Sequence, residues 1–244
     1  MGVGVHMESK MAKLLQCERC PVAVIRTNKR PDDALMFKEG ARGCTIALLN
    51  AASKGRTVAF SDATVGCPGG KSGCGFRPFQ TGFIEYFLSV GGKGPQEGEF
   101  YKESPELAKA FVEGLPSIHS EKYLVLKPFG ELSEGEAFDA VVFLVNAEEL
   151  SALVTLANYD QSTQDHVEIR FAAGCAQTFL YPLDNQDQQK ETCTVGLTDP
   201  SARKCIEKDL LSFTIPQHRF WVMEEKAVGS FLTKETWKTL LQRK

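Results

Sequence analysis

The sequence predicts an α+β fold in which helices pack around a mixed sheet within a single domain. Short apolar runs typical of strands alternate with helix-like segments, and their irregular spacing does not fit a regular parallel α/β fold. Hydrophobic residues make up 43% of the chain and charged residues 24%, which is enough apolar material for a large core. Because no Ser/Pro-rich linker interrupts the chain, we divide it only into a helical lead-in, 1–20, and one α+β domain, 21–244.

The first third of the chain predicts two helices, two strands and a loop. An amphipathic pattern predicts a helix over 7–18, and an apolar run behind a proline predicts a buried strand over 21–27. A second helix is predicted over 42–54 and a short strand over 57–60. The glycine-rich segment 61–79 predicts a loop, because glycine and proline punctuate regular structure.

The middle of the chain predicts three helices and two strands. The segment 80–91 is helix-like, and Ser104 followed by proline predicts the start of a helix that ends near 114. Strands are predicted over 123–127 and over the strongly apolar 139–146, followed by a helix over 147–158.

The last part predicts two strands and terminal helices. The strands are expected over 167–171 and 210–216, with a Gly-Cys turn and a polar loop, 184–192, between them. Amphipathic segments then predict helices up to the C-terminus.

Charge and hydropathy exclude two classes of partner. Lys and Arg total 28 against 31 Asp and Glu, and a net charge of −3 does not provide the positive surface that nucleic-acid binding requires. No run approaches the roughly 18 apolar residues of a membrane helix. The first ten residues lack the pattern of a secretory signal, so we expect a cytoplasmic protein.

The cysteines are the most informative residues of the sequence. There are eight, more than a reducing compartment needs for packing alone, and in the cytosol such a surplus favours metal, cluster or redox chemistry over crosslinks. Cys44, Cys67, Cys175 and Cys193 each stand at a predicted junction between elements, and three of them follow a glycine that leaves room for a bulky ligand. Four such thiolates could hold a tetrahedral zinc or an iron–sulfur cluster.

The wide spacing of these four cysteines favours a cluster over zinc. Structural zinc sites are usually built from two close-spaced pairs, whereas these ligands require the fold to form first. The alternative that free cysteines pack as small hydrophobic residues has about equal weight.

The glycine-rich loop suits the surroundings of a cluster better than those of a nucleotide. Val65 stands where the phosphate-binding pattern requires its first glycine, so nucleotide binding is disfavoured. Amides of Gly66, Gly69 and Gly70 could donate hydrogen bonds to cluster sulfur, and Lys71, like Arg42, could offset its negative charge. Both cations are more often simply solvated.

Cys17 and Cys20 have the spacing of a redox or metal-chelating pair, but their context is reversed. A thioredoxin-like pair opens a helix, whereas this pair closes one and precedes a strand. Core or solvent-side thiols are therefore the favoured interpretation of this pair.

No standard catalytic motif is present, so the sequence leaves open whether the chain is an enzyme. The signatures of serine hydrolases, zinc proteases and dinucleotide-binding enzymes are missing. Asp62 and the pair Glu224 and Glu225 are the acids to examine first, although a charge run at a helix usually lies on a solvated face.

Several segments together resemble the domain-of-unknown-function 169 (ArCR-like) family, which is found largely in anaerobic prokaryotes. The similarity runs from about residue 21 to about residue 225 and is carried by the segments PVAVI, RGCTIALLNAASKGRTVAF, CPGGKSGCGF, GEFYKESPELAKAFVEGLPSI, DAVVFLVNAEELSALVTLANYD, AAGCAQTFLYPL, TCTVGL and LSFTIP. The resemblance implies that the recurring cysteines of the family fall on Cys44, Cys67, Cys175 and Cys193. Cys74 stands where an apolar residue is usual and is a possible additional thiol, and Thr192 stands where a glycine is expected before Cys193.

The sequence therefore predicts an iron–sulfur protein, with [4Fe–4S] favoured, that acts in electron transfer or redox sensing. The predicted ligands are Cys44, Cys67, Cys175 and Cys193, and the implied partner is a redox protein. The alternative is a zinc-stabilised or metal-free module that binds a small ligand or a partner. A third possibility is an enzyme in which one iron is open to substrate.

Overall fold

The protein is built on one seven-stranded mixed sheet, and its structure is a computed structural model that describes residues 7–41, 43–93 and 97–243. The strands lie in the order β2-β3-β1-β4-β7-β6-β5; the pair β5 and β6 is parallel and the other pairs are antiparallel. Their bounds are β1 Val22–Thr27, β2 Val58–Phe60, β3 Tyr123–Pro128, β4 Ala140–Val145, β5 Val167–Ile169, β6 Cys193–Gly196 and β7 Leu211–Pro216. The α+β class and the mixed sheet predicted from the sequence are confirmed.

The sheet is covered by helices on both faces, and the central strand shows why. All six residues of β4 are buried, so its side chains enter two separate cores. Val141, Phe143 and Val145 enter one core, whereas Ala140, Val142 and Leu144 enter the other. The helices are α1 Lys10–Leu15, α2 Thr45–Ser53, α3 Pro68–Gly73, α4 Ile84–Phe87, α5 Pro105–Glu113, α6 Ala147–Ala157, α7 Tyr181–Asp187, α8 Gln217–Ala227 and α9 Glu235–Leu241.

We name the two faces by what covers them. The helical face is covered by α1, α6, α8 and α9, with side chains such as Met11, Leu153 and Phe220 in its core. The thiol face is covered by α2, by α3 and by the turns around it, with side chains such as Ile46 and Phe179 in its core. The sheet separates the two cores, because successive strand residues point to opposite sides.

Several helix ends follow directly from the sequence. Asn146 and Glu149 form a reciprocal capping box at the start of α6, and Ser104 accepts a hydrogen bond from the Leu107 amide at the start of α5. The helix α1 belongs to the main core although it lies in the predicted lead-in, since Met11 and Leu15 are both fully buried on the helical face.

The sequence-based prediction of the elements is wrong at four places. The helix predicted over 7–18 is shorter, and only Ile84–Phe87 is helical within 80–91. The predicted glycine loop contains α3, because Pro68 occupies the first turn of a helix that starts at a cysteine cap.

The fourth difference lies around the later cysteines. The predicted Gly-Cys turn continues into a π-helical turn, Ala176–Leu180, and into α7, so helix occupies the start of the predicted polar loop 184–192. Cys193 then opens strand β6, which the sequence analysis did not predict.

Contacts group the chain into two compact units, one formed by 1–76 and 118–244 and the other by 77–117. The smaller unit contains α4 and α5. Within it both carboxylate oxygens of Glu85 accept the Gly82 amide at 2.8 Å, and the buried Ser89 hydroxyl donates to the Glu85 carbonyl at 2.6 Å. No helix in the described ranges is both long and apolar enough to cross a membrane.

Candidate metal centre

Four thiols lie on the thiol face around the short helix α3. Cys67 caps the N-terminus of α3 and Cys74 follows its last residue, so the six residues of this short helix separate the two. Cys44 occupies the N-cap position of α2, and Cys175 leads into the π-helical turn. The electrostatic interactions of Cys175 include those with Cys74, Cys67 and Cys44, which places the four side chains in one neighbourhood.

The Gly69–Gly70 peptide links two of these thiols. The Gly70 amide donates to the Cys67 sulfur at 3.4 Å, and the Cys175 thiol donates to the Gly69 carbonyl at 3.4 Å. Because the N–H and C=O of a trans peptide point in opposite directions, the two sulfurs lie on opposite sides of this peptide. The glycine segment therefore forms hydrogen bonds with both thiols.

Gly73 explains how Cys175 approaches α3 so closely. A Cβ atom on Gly73 would clash with the Cys175 sulfur and would stand 2.9 Å from the Ala176 amide nitrogen. Glycine is thus required where the π-helical turn packs against α3. π-Helical turns are rare and are often found at functional sites.

Thr45 is a polar residue of this neighbourhood that the sequence analysis missed. Its side chain is buried and interacts with the Cys74 thiol, yet its hydroxyl makes no hydrogen bond of good geometry with any of the described residues. A buried hydroxyl without a partner is costly, so such a group usually satisfies a ligand or a water. Its position directly after Cys44 is the signal that could have found it.

Burial sets the proton affinity of these thiols. Desolvation raises the pKa of Cys44 to about 11, and it raises the pKa values of the fully enclosed Cys74 and Cys175 further. In the absence of a cation, these three side chains are neutral thiols at neutral pH. They are therefore poor nucleophiles, because the thiolate is the reactive form.

Cys193 does not lie with the other predicted ligands. It is fully buried on the helical face, and its sulfur is 3.9 Å from the Met223 sulfur of α8. Burial raises its pKa to about 12, and the groups that act on it electrostatically are Arg219, Glu168 and Glu191. The structure therefore brings together Cys44, Cys67, Cys74 and Cys175 and leaves Cys193 on the other side of the sheet.

Cys193 lies on the helical face because side chains alternate between the two faces along strand β6. Cys193 and Val195 point into the core of the helical face, so Thr194 and Gly196 point the other way. The sequence analysis placed Cys193 at the end of a loop, where its direction was undetermined. Because Cys193 is the first residue of a strand that pairs on both sides, the direction of its side chain is fixed.

The predicted loop residues lie at the site, and Lys71 faces an acid. Gly66 is half-buried directly before Cys67, and Gly69 and Gly70 form the peptide described above. The Lys71 ammonium is 3.8 Å from the Asp62 carboxylate, so this cation is already balanced by an acid. Arg42 lies outside the described residues.

Cys17, Cys20 and Glu224 belong to other parts of the molecule. Cys17 packs at the edge of the helical face, where burial and then Glu149 raise its pKa to about 12, and Cys20 is exposed. The buried Glu224 carboxylate accepts hydrogen bonds from the Ser9 hydroxyl and the Lys10 amide. Glu224 thus holds the start of α1 and has a structural role.

The four thiols stand around the site without forming a closed ligand set in the present side-chain positions. Within 7–41, 43–93 and 97–243, no three His, Cys, Asp or Glu side chains are close enough to share one metal ion. The donor set fits a thiophilic metal by its chemistry, with four sulfurs in one neighbourhood and the unpartnered Thr45 hydroxyl beside them. Side-chain rotation would have to bring the sulfurs together.

A comparison with family models identifies the relatives of the chain. The model of domain-of-unknown-function family 169, described as uncharacterised ArCR, matches residues 10–226. The chain belongs to this family. No curated protein and no solved structure matches this ArCR chain. The match begins at the first residue of α1, in agreement with the burial of that helix in the main core.

Proposed function

We propose that this ArCR protein binds an iron–sulfur cluster, with [4Fe–4S] favoured, on the thiol face of its sheet. The ligands in this proposal are Cys44, Cys67, Cys175 and Cys74, and Cys74 replaces the sequence-predicted Cys193. The observation that carries the proposal is the convergence of four thiols, from three distant segments, on the glycine-rich helix α3. Four cysteine thiolates are the usual ligand set of such clusters.

The electrostatics of the thiols argue against a role as catalytic nucleophiles. Buried neutral thiols with raised pKa values lose their protons when metal ions replace those protons, since a coordinating thiol is deprotonated outright. Cys44, Cys74 and Cys175 have this property, whereas a catalytic thiol is expected to have a lowered pKa. The raised pKa values therefore argue against thiol catalysis, and a bound metal ion would have to displace the thiol protons.

The surroundings supply hydrogen-bond donors for sulfur. The Gly70 amide donates to the Cys67 sulfur, and the Thr45 hydroxyl stands beside the Cys74 thiol. Such donors stabilise thiolate ligands and raise the reduction potential of a cluster. The close approach at Gly73 keeps the Cys175 side chain against α3.

The proposed role is electron transfer or redox sensing with a redox protein as partner. A bound cluster would supply one-electron chemistry. Cys67 is exposed to solvent while Cys74 and Cys175 are buried, so the Cys67 side is where a partner can approach the centre. The buried side is protected by the sheet, which limits access of water and oxidants.

The test is the metal content of protein purified anaerobically and reconstituted with ferrous iron and sulfide. We expect a brown protein with broad visible absorption and stoichiometric iron and sulfide. Each of the variants Cys44→Ser, Cys67→Ser, Cys74→Ser and Cys175→Ser is expected to bind much less iron than the wild type. Loss of a direct ligand should weaken iron binding by more than the roughly tenfold loss seen when a residue that only supports a ligand is changed. Cys193→Ser is the matched control, because Cys193 is buried like Cys74 and Cys175 but lies on the other face.

Each other outcome has a definite meaning. Colourless protein with stoichiometric zinc would replace the cluster by the zinc alternative, and protein without metal would overturn the proposal. Loss of iron in Cys193→Ser but not in Cys74→Ser would restore the sequence-predicted ligand set. Retention of iron in only one of the four variants would indicate three ligands and an iron open to substrate.

A further inference from the structure

The two edges of the sheet differ in how they are covered. At one edge, all three residues of β2 are buried, and Leu35 forms a bridge to Val58 alongside that strand. At the other edge, β5 pairs with β6 alone among the described strands. Ile169 of β5 is 67% exposed, and Phe171, two residues further along, is 40% exposed. The β5 edge therefore presents large apolar side chains to solvent.

The backbone of β5 has polar groups that point away from the sheet. The His166 carbonyl accepts a hydrogen bond from the Cys193 amide at 2.8 Å, so the backbone of His166 faces β6. Because backbone polar groups alternate in direction along a strand, those of Glu168 also face β6, and those of Val167 and Ile169 face outward. An open edge with such groups can pair with a further strand.

The sequence of this edge is complementary to itself. Residues 167–171 read VEIRF, which alternates apolar, acidic, apolar, basic and apolar side chains. In an antiparallel pair of two copies centred on Ile169, Ile169 lies opposite itself and Glu168 lies opposite Arg170 of the second copy. Val167 then lies opposite Phe171. Opposite charges and apolar pairs stabilise such a ladder, whereas a pair centred on Glu168 or on Arg170 would place like charges opposite each other.

The same register matches the backbone and the charged side chains. Opposite residues of an antiparallel ladder alternate between pairs that exchange two hydrogen bonds and pairs that exchange none. The outward-facing groups of Ile169 would form the central bonded pair, and Glu168 and Arg170 would form a non-bonded pair, whose side chains lie closest. The Glu168 carboxylate is held at the edge by the Asn185 side-chain amide at 3.1 Å and lies 2.6 Å from the Arg170 guanidinium. In the pair, each Arg170 would therefore lie between two carboxylates.

We propose that the β5 edge binds the β5 edge of a second copy of this chain, in antiparallel orientation around a two-fold axis at Ile169. The two seven-stranded sheets would then form one continuous sheet. A second copy is the occupant because a two-fold interface requires a surface that complements itself. A strand pair this short buries less than the roughly 1,200 Å² of a standard interface, so we expect a weak dimer that forms as concentration rises. The inference does not depend on a bound cluster.

The test is sedimentation velocity of the full chain, kept reduced, over a wide range of concentration. We expect the wild type to pass from monomer to dimer. Ile169→Lys and Ile169→Glu should each weaken the association by roughly tenfold or more, because position 169 meets itself and like charges would oppose each other. An equimolar mixture of the two variants should form dimers again, since lysine then lies opposite glutamate. Leu107→Lys is the matched control, because Leu107 is an apolar residue of α5 that is 52% exposed, and it should leave the dimer intact.

The charge pair has a separate test. Arg170→Glu places an acid opposite Glu168 of the second copy and should weaken the dimer, whereas Arg170→Lys keeps the charge and should retain it. A dimer of unchanged strength in Arg170→Glu would reject this register. Circular dichroism of each variant establishes that a lost dimer does not reflect loss of the fold.

Three further results would overturn the inference. One is a wild type that stays monomeric at every concentration, in which case the β5 edge does not bind a second copy. Another is a dimer that neither Ile169→Lys nor Ile169→Glu weakens. The third is a mixture of these two variants that does not associate.

Discussion

The two faces of the sheet use buried polar groups in different ways. On the helical face, charged side chains secure helices: Arg219 of α8 pairs with Asp160 beyond the end of α6, and Glu224 holds the start of α1. On the thiol face, the Gly73 backbone lies directly against the Cys175 sulfur. The buried Thr45 hydroxyl there has no hydrogen-bond partner among the described residues. Unpartnered polar atoms occur on both faces, since the Arg219 Nε atom also makes no hydrogen bond with the described residues. The comparison teaches that the helical face uses buried charges to join its helices, whereas the thiol face places its unpartnered hydroxyl beside a sulfur.

Cysteine itself shows the same contrast. Cys175 and Cys193 are both buried and both have raised pKa values, but Cys175 faces other thiols and Cys193 faces Met223 and Arg219. Residue type and burial therefore do not identify a ligand. The difference between these two cysteines lies in the groups that surround each sulfur.

The largest effect is expected on the helical face, when the buried Arg219 guanidinium loses its partner Asp160. The Arg219 side chain is fully buried, and its guanidinium bonds to both Asp160 oxygens and to the Ala157 carbonyl at 2.9 Å. Asp160→Asn is expected to lower the free energy of unfolding by about 3 kcal/mol, because it leaves a buried charge without full compensation. Urea unfolding measures this, and the exposed Asp209→Asn should change little.

The effect of Asp160 has a defined pH dependence. Hydrogen bonds from Arg219 lower the pKa of Asp160 below its ordinary value. Its stabilisation is therefore present above the unfolded pKa of about 4 and is lost as the pH falls through the lower folded pKa. We therefore expect the difference in the free energy of unfolding between the wild type and Asp160→Asn to shrink on acidification. A difference that grows would contradict the stabilising role given to the Asp160 carboxylate.

The next largest effect tests the close approach on the thiol face. Gly73→Ala is expected to cost about 2 kcal/mol, because its Cβ would meet the Cys175 sulfur and the Ala176 backbone. Gly69→Ala is the matched control in the same helix, since its Cβ would meet only the Cys67 sulfur at 3.9 Å. Alanine favours helix at both positions, so thermal unfolding of the pair isolates the contact. Equal stability of the two variants would show that the π-helical turn moves away easily.

The smallest effect concerns the anchor of α1. Glu224→Gln removes an acceptor from the Lys10 and Met11 amides and is expected to cost about 1 kcal/mol at neutral pH. Burial raises the pKa of Glu224, so its stabilising contribution is largest below the unfolded pKa and declines as the pH rises through the folded pKa. The cost of Glu224→Gln should therefore grow on mild acidification, and the exposed Glu225→Gln should show no such trend.

Local sequence signals located most elements but not the orientation of the cysteines that we predicted as ligands. Ser104, Asn146 and the apolar run of β4 gave clear caps and a clear strand, since those signals act within a few residues. The segment after Cys175 has no such signal, and its π-helical turn depends on packing against α3 and the sheet. Thr192, where the family resemblance led us to expect a glycine, marked Cys193 as different before its direction was known.

The sequence by itself determined the α+β class, the family and the surplus of cysteines at the ends of elements. These properties depend on local propensity, on hydrophobic pattern and on residue identity. Only the tertiary structure decided that Cys74 joins Cys44, Cys67 and Cys175 while Cys193 does not. The physical reason is that a sheet presents alternate residues to opposite cores, so the direction of a side chain is fixed only when its strand has a partner and a register.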